Sequence, residues 1–386
     1  MTPNRSKIET ELRSTRTVYS LRFPETEKVF REMMTSDLDV IEARHREAWT
    51  KKQDSYHRNF FDTWERWMSD AEMRDLHAFI TEDLDYKYPS AGSSEAIREV
   101  LATLGSAANY RPATGGVAIH VFTGEYEGYE ALAKPYGLRV VKHDRDIYEE
   151  SIQAYAEYHD LRGDVFFLSQ PSSIDGNVWE GFYDFLQFMN DTPLRVALDL
   201  CYVGSVPSSK WFNEKGHPKF GMVLYDSVNC IDYVFFSLSK VFGVYYNRIG
   251  GVYSRHPIPG LWGNMWFKNL DSLYFGQKLM ETYSLFEIPD KYEDVAKACV
   301  KDLQSEAALQ FKHLHKSDVL LLAHSTDQAA TQNFSSLPDT SQVFCRGIVL
   351  NFEPARWPET SSPYCTLSRY CLTQRIHDAI FPKTTT

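Results

Sequence analysis

Residues 233–251 constrain this chain more than any other segment. They open with an apolar run, residues 233–236, which predicts a buried strand. The turn after this strand carries three polar side chains, Ser237, Ser239 and Lys240. A lysine between a buried strand and the aromatic run at 242–246 is in a place that disfavours its ammonium form, and a neutral amine condenses with an aldehyde. Lys240 is therefore a candidate Schiff-base nucleophile.

Groups that suit a phosphate flank this lysine. Ser237 lies three positions before it and Arg248 eight positions after it. A hydroxyl and a guanidinium can hold a phosphate through charge-assisted hydrogen bonds. The alternative is an ordinary strand that is followed by a surface lysine and arginine, because short motifs also occur by chance.

A second candidate for anion binding precedes a helical pattern that opens at Ser94 or Glu95. Pro89 and Gly92 break the chain there, and small residues let backbone amides approach a ligand. The hydroxyls of Ser93 and Ser94 at a helix N-terminus, together with the helix dipole, would favour a phosphate. A serine cap followed by a glutamate serves any helix equally well.

Length and charge restrict the class of protein. At 386 residues the chain is long enough to predict two lobes. The net charge of -11 argues against nucleic acid and against an anionic membrane surface as partners. Apolar runs of the length of a signal peptide or a membrane helix are not found, which predicts a cytoplasmic protein. The six cysteines form no CxxC pair and are expected to be free thiols.

The first part of the chain, about 24–84, has a helical pattern. Phe60, Trp64, Trp67 and Met68 fall on one helix face, which predicts core or subunit-contact residues. A cofactor-binding box of tryptophans is the alternative.

Strands are predicted at 117–122, 138–141 and 164–169, and a further strand ends in Asp199. The alternation of strand and helix predicts a parallel sheet. An acid at the carboxyl end of a parallel strand faces the ligand crevice of such a sheet. A helix cap or an ion pair is the other common role of an aspartate at a strand end.

The sequence S-L-S-K-V-F-G-V-Y-Y-N-R-I-G resembles the lysine segment of class I/II aminotransferases, which are fold-type I enzymes that use pyridoxal 5'-phosphate. The motifs from Ala91 to Arg369 fall in the order of that family. The resemblance implies that Lys240 forms the Schiff base and carries the proton, and that Asp199 pairs with the pyridinium nitrogen. Tyr202 would bond the phenolic oxygen of the cofactor.

The resemblance also implies contacts from the loops that follow the predicted strands. Tyr126 would stack on the cofactor ring. Ser173 stands where the family usually has an asparagine that bonds the phenolic oxygen, and whether Ser173 or Asn177 replaces that contact is left open. The implied contacts around the phosphate are Gly92, Ser93, Ser94, Ser237, Ser239 and Arg248.

The implied fold is a large lobe with a mostly parallel sheet between helices, plus a smaller α+β lobe. The expected division is 50–288 for the cofactor-binding domain, with 1–49 and 289–386 forming the small domain. Arg369 would hold the α-carboxylate of the substrate, with Arg346 as the alternative and a structural ion pair as a third reading. The family also implies a homodimer.

The activity implied is transfer of an amino group between an L-amino acid and a 2-oxo acid. Other reactions on the same cofactor, namely lyase, decarboxylase or cyclase chemistry, are alternatives that a fold does not separate. A non-catalytic protein that keeps the fold is a further alternative. A neutral or aromatic substrate side chain is expected, because residues 260–289 contain no arginine to pair with a second carboxylate.

A long helix is expected at 290–315. Its two histidines, His313 and His315, would point to different faces, so a solvated pair is expected and no metal site.

Overall fold

Two β-sheets organise the chain, and the larger of them has seven strands. The computed structural model describes residues 21–51, 55–69, 74–108, 117–212, 219, 229–267, 270–305, 314–325, 331–333, 343–346 and 364–382. The strands of the large sheet are β1 (Tyr86–Ser90), β2 (Ala118–Phe122), β3 (Arg139–His143), β4 (Val165–Ser169), β5 (Arg195–Asp199), β6 (Ile231–Ser237) and β7 (Gly250–Ser254).

The helices that surround this sheet come from three parts of the chain. Those before it are α1 (Pro24–Ser36), α2 (Leu38–Lys51), α3 (Ser55–Ser69) and α4 (Arg74–Glu82). Those between its strands are α5 (Ser93–Ala108), α6 (Gly128–Ala133), α7 (Tyr148–Ala156), α8 (Phe182–Asn190) and α9 (Ser208–Trp211). Those after it are α10 (Asn264–Phe267), α11 (Leu270–Thr282) and α12 (Glu287–Ser305).

The strand order is β1-β7-β6-β5-β4-β2-β3. Strands β2 to β6 pair in parallel, whereas β7 is antiparallel to both of its neighbours. Every residue of β2, β4, β6 and β7 is buried, as expected where helices cover both faces of a sheet. The predicted α/β fold with a mostly parallel sheet is confirmed.

The apolar face of α3 packs on the end of the sheet that carries β6 and β7. Trp64 stacks on Phe236, with 4.3 Å between ring centroids, and lies 5.4 Å from the ring of Tyr253. The four residues predicted to share a face are all buried in the main core: Phe60, Trp64, Trp67 and Met68. The core interpretation of this helix is therefore confirmed.

The second sheet is antiparallel and has five strands. They are β8 (Leu314–Lys316), β9 (Leu322–Ser325), β10 (Thr331–Asn333), β11 (Val343–Arg346) and β12 (Tyr364–Cys371), followed by helix α13 (Thr373–Ile380). Backbone hydrogen bonds join this sheet to the loop after β4, since Val319 N donates to Gly176 O over 2.8 Å. The domain boundaries expected at 50–288 remain a prediction.

The predicted bounds of the long helix, 290–315, are wrong at both ends. Helix α12 begins at Glu287, before the expected start. Pro289 is tolerated in its first turn, because a missing N–H there costs no hydrogen bond. It ends at Ser305, and His315 lies in the strand β8 with an exposed side chain. His313 lies outside the described residues. The expected thiol state is confirmed for four cysteines, which are free: Cys201, Cys230, Cys299 and Cys371.

Gly243 allows the N-terminal segment to cross the turn that carries Lys240. A Cβ at this position would lie 1.7 Å from the carbonyl oxygen of Leu21, and the residue has a φ of +65°. We expect Gly243→Ala to lower the free energy of unfolding by about 3 kcal/mol or more, because the clash is with backbone. Gly137→Ala is the matched control, since Gly137 has a φ of +68° and a Cβ added there would have no neighbouring atom within 4 Å.

Urea denaturation of both variants measures the difference. Gly137→Ala should lose only about 1 kcal/mol, from backbone strain alone. Equal losses in the two variants would contradict the close crossing at Gly243.

Candidate active site

Three neighbouring parallel strands end at the same edge of the large sheet. Ser169 ends β4 and pairs with Asp199, which ends β5, and Ser237 ends β6 next to them. The carboxyl edge of a parallel sheet is where such folds bind ligands. The two predicted strand-end residues, Asp199 and Ser237, therefore lie at one edge of the sheet together with Ser169.

Asp199 lies at the centre of this edge with only 2% of its surface exposed. Its Oδ1 accepts a hydrogen bond from Cys201 N over 3.0 Å, and its Oδ2 accepts a longer one from the Tyr129 hydroxyl over 3.5 Å. Burial raises the pKa of Asp199 to about 7, and the nearby carboxylate of Glu125 adds to this shift. A cation bound next to Asp199 would stabilise its charged form.

Lys240 follows β6, the strand that pairs with the strand ending in Asp199. It is half-buried, and its Nζ is 6.0 Å from the ring centroid of Tyr245. The charge of Lys240 acts on the thiol of Cys201. Burial raises the pKa of Cys201 well above its usual range, and the charge of Asp199 adds to the rise. The positive charge of Lys240 opposes it. The turns after β5 and β6 thus bring a buried carboxyl, a thiol and an amine to the same edge of the sheet.

A second group of residues forms an anion cradle beside the lysine. Gly92 has a φ of +73°, and a Cβ there would lie 3.4 Å from Nη2 of Arg248 and 3.5 Å from Oγ of Ser237. The hydroxyl of Ser237 donates to Oγ of Ser239 over 3.0 Å. Helix α5 begins immediately after Gly92, at Ser93 rather than at Ser94 or Glu95. A guanidinium, two hydroxyls and a helix N-terminus therefore meet around one small space.

The aromatic residue expected over the ligand is Tyr126, in the loop after β2. A Cβ at Gly128 would lie 2.1 Å from Cε1 of Tyr126, so this ring can occupy its position only over a glycine. Burial raises the pKa of Tyr126, and a hydrogen bond with Ser94 partly offsets the rise. Ser94 thus connects the ring of Tyr126 to the helix that borders the anion cradle.

Ser173 is buried in the loop after β4, and its partner is Glu125, a residue that the sequence reasoning missed. The Ser173 hydroxyl forms a short hydrogen bond with Oε2 of Glu125, which also accepts from Oγ of Ser169 over 2.8 Å. The amide oxygen of Asn177 instead accepts from Asp318 N over 3.0 Å. The Asn177 side chain therefore serves the contact between this loop and the second sheet.

The remaining predicted residues occupy different parts of the structure. Tyr202 follows Asp199 by three positions and is buried in the main core, with 5% of its surface exposed. Arg369 lies in β12 opposite His324 of β9, and Arg346 lies in β11 opposite Thr366. The side chains at 346 and 369 lie outside the described part of the chain.

Two features are not found among the residues that the structure describes. No cluster of three or more histidine, cysteine or acidic side chains is placed to hold a metal ion. No helix there is long and apolar enough to cross a membrane.

The fold of the chain is the fold-type I architecture that is found in pyridoxal-phosphate-dependent transferases. It is similar to an aminotransferase from Neisseria meningitidis Z2491, with a TM-score of 0.61, 13% identity, and coverage of 95% of this chain and 90% of that one. It is also similar to the histidinol-phosphate aminotransferase from Clostridium acetobutylicum, with a TM-score of 0.59, 11% identity, and coverage of 95% and 96%.

A third similar structure is the PLP-bound C-S lyase from Staphylococcus hominis, with a TM-score of 0.55 and 12% identity over 80% of this chain and 74% of that one. The sequence matches no known protein-family profile and no curated protein. The similarity therefore lies in the fold, with little of it left in the sequence.

Proposed function

We propose that this protein is a pyridoxal 5'-phosphate-dependent aminotransferase that moves an amino group between a neutral or aromatic L-amino acid and a 2-oxo acid. The observation that carries the proposal is that Lys240 follows β6, whose neighbour β5 ends in Asp199, and that the end of β6 also brings Ser237 to the anion cradle at Gly92 and Arg248. The lysine, the buried carboxyl and the cradle therefore belong to one edge of the sheet. Each suits a different part of one cofactor: its aldehyde, its ring nitrogen and its phosphate.

The residues present fit that cofactor. The cradle offers a guanidinium and hydroxyls to a phosphate, and Asp199 offers a buried carboxylate that a pyridinium would stabilise. Tyr126 offers a flat ring held over Gly128. When bound, the cofactor supplies an electron sink for negative charge on the substrate α-carbon.

The residues of this chain would then divide the work. The amine of Lys240 would bond the aldehyde, and after release it would carry a proton to and from the substrate α-carbon. Asp199 would hold the ring nitrogen in its protonated form. Ser93, Ser94, Ser237, Ser239 and Arg248 would bind the phosphate, and Tyr202 would contact the phenolic oxygen.

We also propose that Arg369 holds the α-carboxylate of the substrate. We expect Arg369→Lys to raise the KM for the amino acid by about tenfold or more with little change in cofactor affinity, because a point charge cannot make two parallel bonds to a carboxylate. Arg346→Lys is the control, since it changes the same residue type in the neighbouring strand. A larger rise in KM for Arg346→Lys would assign the carboxylate to that residue instead.

The expected preference for a neutral side chain depends on which cations can reach the substrate. Three cations lie in or just before the arginine-free segment 260–289. Lys278 forms an ion pair with Asp37 over 2.7 Å, Arg255 forms one with Asp232 over 3.2 Å, and Lys268 lies outside the described residues. Burying a second carboxylate without a paired cation would cost several kcal/mol. Three aromatic side chains of the same segment are buried in the main core of the protein: Tyr274, Phe275 and Tyr283.

The proposal is tested by incubating the cofactor-loaded protein with aspartate, phenylalanine, leucine and ornithine, each with a 2-oxo acid acceptor. Formation of a new 2-oxo acid with no release of ammonia supports transamination. The similarity to a C-S lyase makes elimination the second candidate. Release of ammonia and a thiol from a cysteine conjugate, without acceptor, would favour it, and a clear preference for aspartate would contradict the expected side chain.

We propose a homodimer as the working assembly. Tyr246 and Trp262 are exposed by 92% and 58%, and Tyr246 lies two residues before Arg248 of the cradle. Large apolar side chains exposed next to a site are typical of a surface that a partner covers. Sedimentation at several concentrations, with Tyr246→Ser as the variant, would measure the assembly. A cytoplasmic location remains a prediction from the sequence.

A further inference from the structure

Glu125 is a buried acid at the edge of the site to which the proposed reaction assigns no role. It is 8% exposed, and four donors converge on its carboxyl group. The backbone N–H groups of Tyr126 and Ser169 each lie 3.3 Å away, and the Ser169 hydroxyl lies 2.8 Å away. The fourth contact is the short one from the hydroxyl of Ser173.

Two of the four donors are hydroxyls whose protons can move. The two backbone N–H groups can only donate. Oγ of Ser169 already accepts from Ser173 N over 2.6 Å, which occupies one of its two lone pairs. The hydroxyl of Ser173 can reverse its direction: it donates to a charged Glu125 and accepts from a protonated one.

The cluster borders the proposed position of the cofactor ring. Glu125 directly precedes Tyr126, and Ser169 pairs with Asp199 across β4 and β5. The charge of Glu125 raises the pKa of both Asp199 and Tyr129. Ser169 is the geometric link, since its hydroxyl contacts Glu125 and its backbone pairs with Asp199.

We propose that Glu125 is a positioning residue that acts through Ser173 and sets the protonation state of the cofactor's phenolic oxygen. A protonated Glu125 donates to Ser173, which frees the Ser173 proton for a negatively charged phenolic oxygen. A charged Glu125 keeps that proton and leaves Ser173 with lone pairs only. The inference rests on the proposed function, because it requires the cofactor to lie beside Ser173.

The surroundings of Glu125 favour this exchange. Burial raises the pKa of Glu125, and the hydrogen bonds from Ser173 and Ser169 partly offset the rise. The titratable groups that face it are Asp199, Tyr126, Tyr129 and Cys201. Two cations act on neighbours of this cluster: Lys240 on Cys201, and Arg145, which donates to Oγ of Ser172 over 3.1 Å.

The test is a pH titration of the visible absorption of the protein loaded with pyridoxal 5'-phosphate. We expect Glu125→Gln to lower the midpoint by about one pH unit or more, because the variant lacks the negative charge that holds the Ser173 proton and its amide N–H can donate to Ser173 as a protonated Glu125 would. Ser173→Ala should raise the midpoint, since the negatively charged oxygen loses a donor. In the double variant, the part of the Glu125→Gln effect that passes through Ser173 should disappear, which leaves only the smaller through-space effect of the lost charge.

Each outcome has a separate meaning. An unchanged midpoint in Glu125→Gln, with only a lower melting temperature, would overturn the inference and leave a purely structural acid. A full shift that persists in the Ser173→Ala background would overturn the relay through Ser173. If Glu125→Gln does not fold, an unchanged midpoint in Ser173→Ala overturns the inference by itself. The lack of any visible band in the loaded wild-type protein would overturn the proposed function as well.

Discussion

Replacement of Lys240 by alanine is expected to reduce kcat by at least about a thousandfold, a loss of roughly 4 kcal/mol of transition-state stabilisation. Under the proposed function, the variant would lose both the amine that bonds the cofactor and the group that moves the substrate proton. Lys240 is half-buried in a turn, so the fold should survive the change. Steady-state kinetics, together with circular dichroism, measure both effects.

Lys142→Ala is the matched control for this substitution. Lys142 lies in β3 of the same sheet, exposed by 54% and paired with Glu130 over 2.8 Å. Its loss should leave kcat within about twofold, since exposed ion pairs contribute little. Activity of Lys240→Ala within about tenfold of wild type would remove Lys240 from the catalytic role.

Asp199→Asn is expected to have opposite effects on activity and stability. Activity should fall by about a thousandfold, because a neutral amide cannot stabilise a protonated ring nitrogen. In protein stripped of cofactor, however, the same change should raise the free energy of unfolding at pH 8. The amide keeps the hydrogen bond that Oδ1 accepts from Cys201 N, and it removes a charge that burial disfavours.

The raised pKa of Asp199 makes the free energy of unfolding depend on pH. Between the ordinary value of 3.8 and about 7, the folded protein holds a proton that the unfolded chain has released. The contribution of Asp199 to the free energy of unfolding is therefore fully present below this pH window. It falls as the pH rises through the window, by as much as ~4 kcal/mol. Asparagine does not titrate and shows no such loss. The difference in the free energy of unfolding between Asp199→Asn and the wild type should therefore grow from pH 4 to pH 8.

Asp232→Asn is the control for the stability measurement. Asp232 is also buried, yet it accepts from the guanidinium groups of Arg195 and Arg255 over 2.7 Å and 3.2 Å. Removing its charge should destabilise the protein by about 1–3 kcal/mol, because two cations lose their partner. Destabilisation of Asp199→Asn at pH 8 by a similar amount would show that Asp199 is a structural acid in the stripped protein.

Local pattern was sufficient wherever the site lies within one strand and its following turn. The apolar run of β6 and the polar turn after it locate Ser237 and Lys240, because a buried strand and a tight turn have opposite requirements for side chains. The end of β5 at Asp199 was found for the same reason. Helix α12 was placed less well, because the residues after Ser305 continue an apolar pattern that suits either a helix or the strand β8.

The environment of Glu125 could not be predicted from the local sequence pattern. Its partners Ser169 and Ser173 lie 44 and 48 residues further along the chain, and no periodicity joins them. One signal was present: an acid in the short loop after a buried parallel strand faces the same crevice as Asp199. That signal did not say whether the carboxyl group would be exposed to water or surrounded by hydroxyls.

The sequence by itself determined the alternation of strands and helices and the order of the strand-end groups, and it made Lys240 the candidate nucleophile, since these inferences depend on neighbours in the chain. Only the tertiary structure decided that Gly92 and Arg248 share a cradle and that Asn177 contacts Asp318. It also decided that burial raises the pKa of Asp199. The physical reason is that contact geometry and desolvation arise from segments that are brought together by packing, and neither is encoded at any single position.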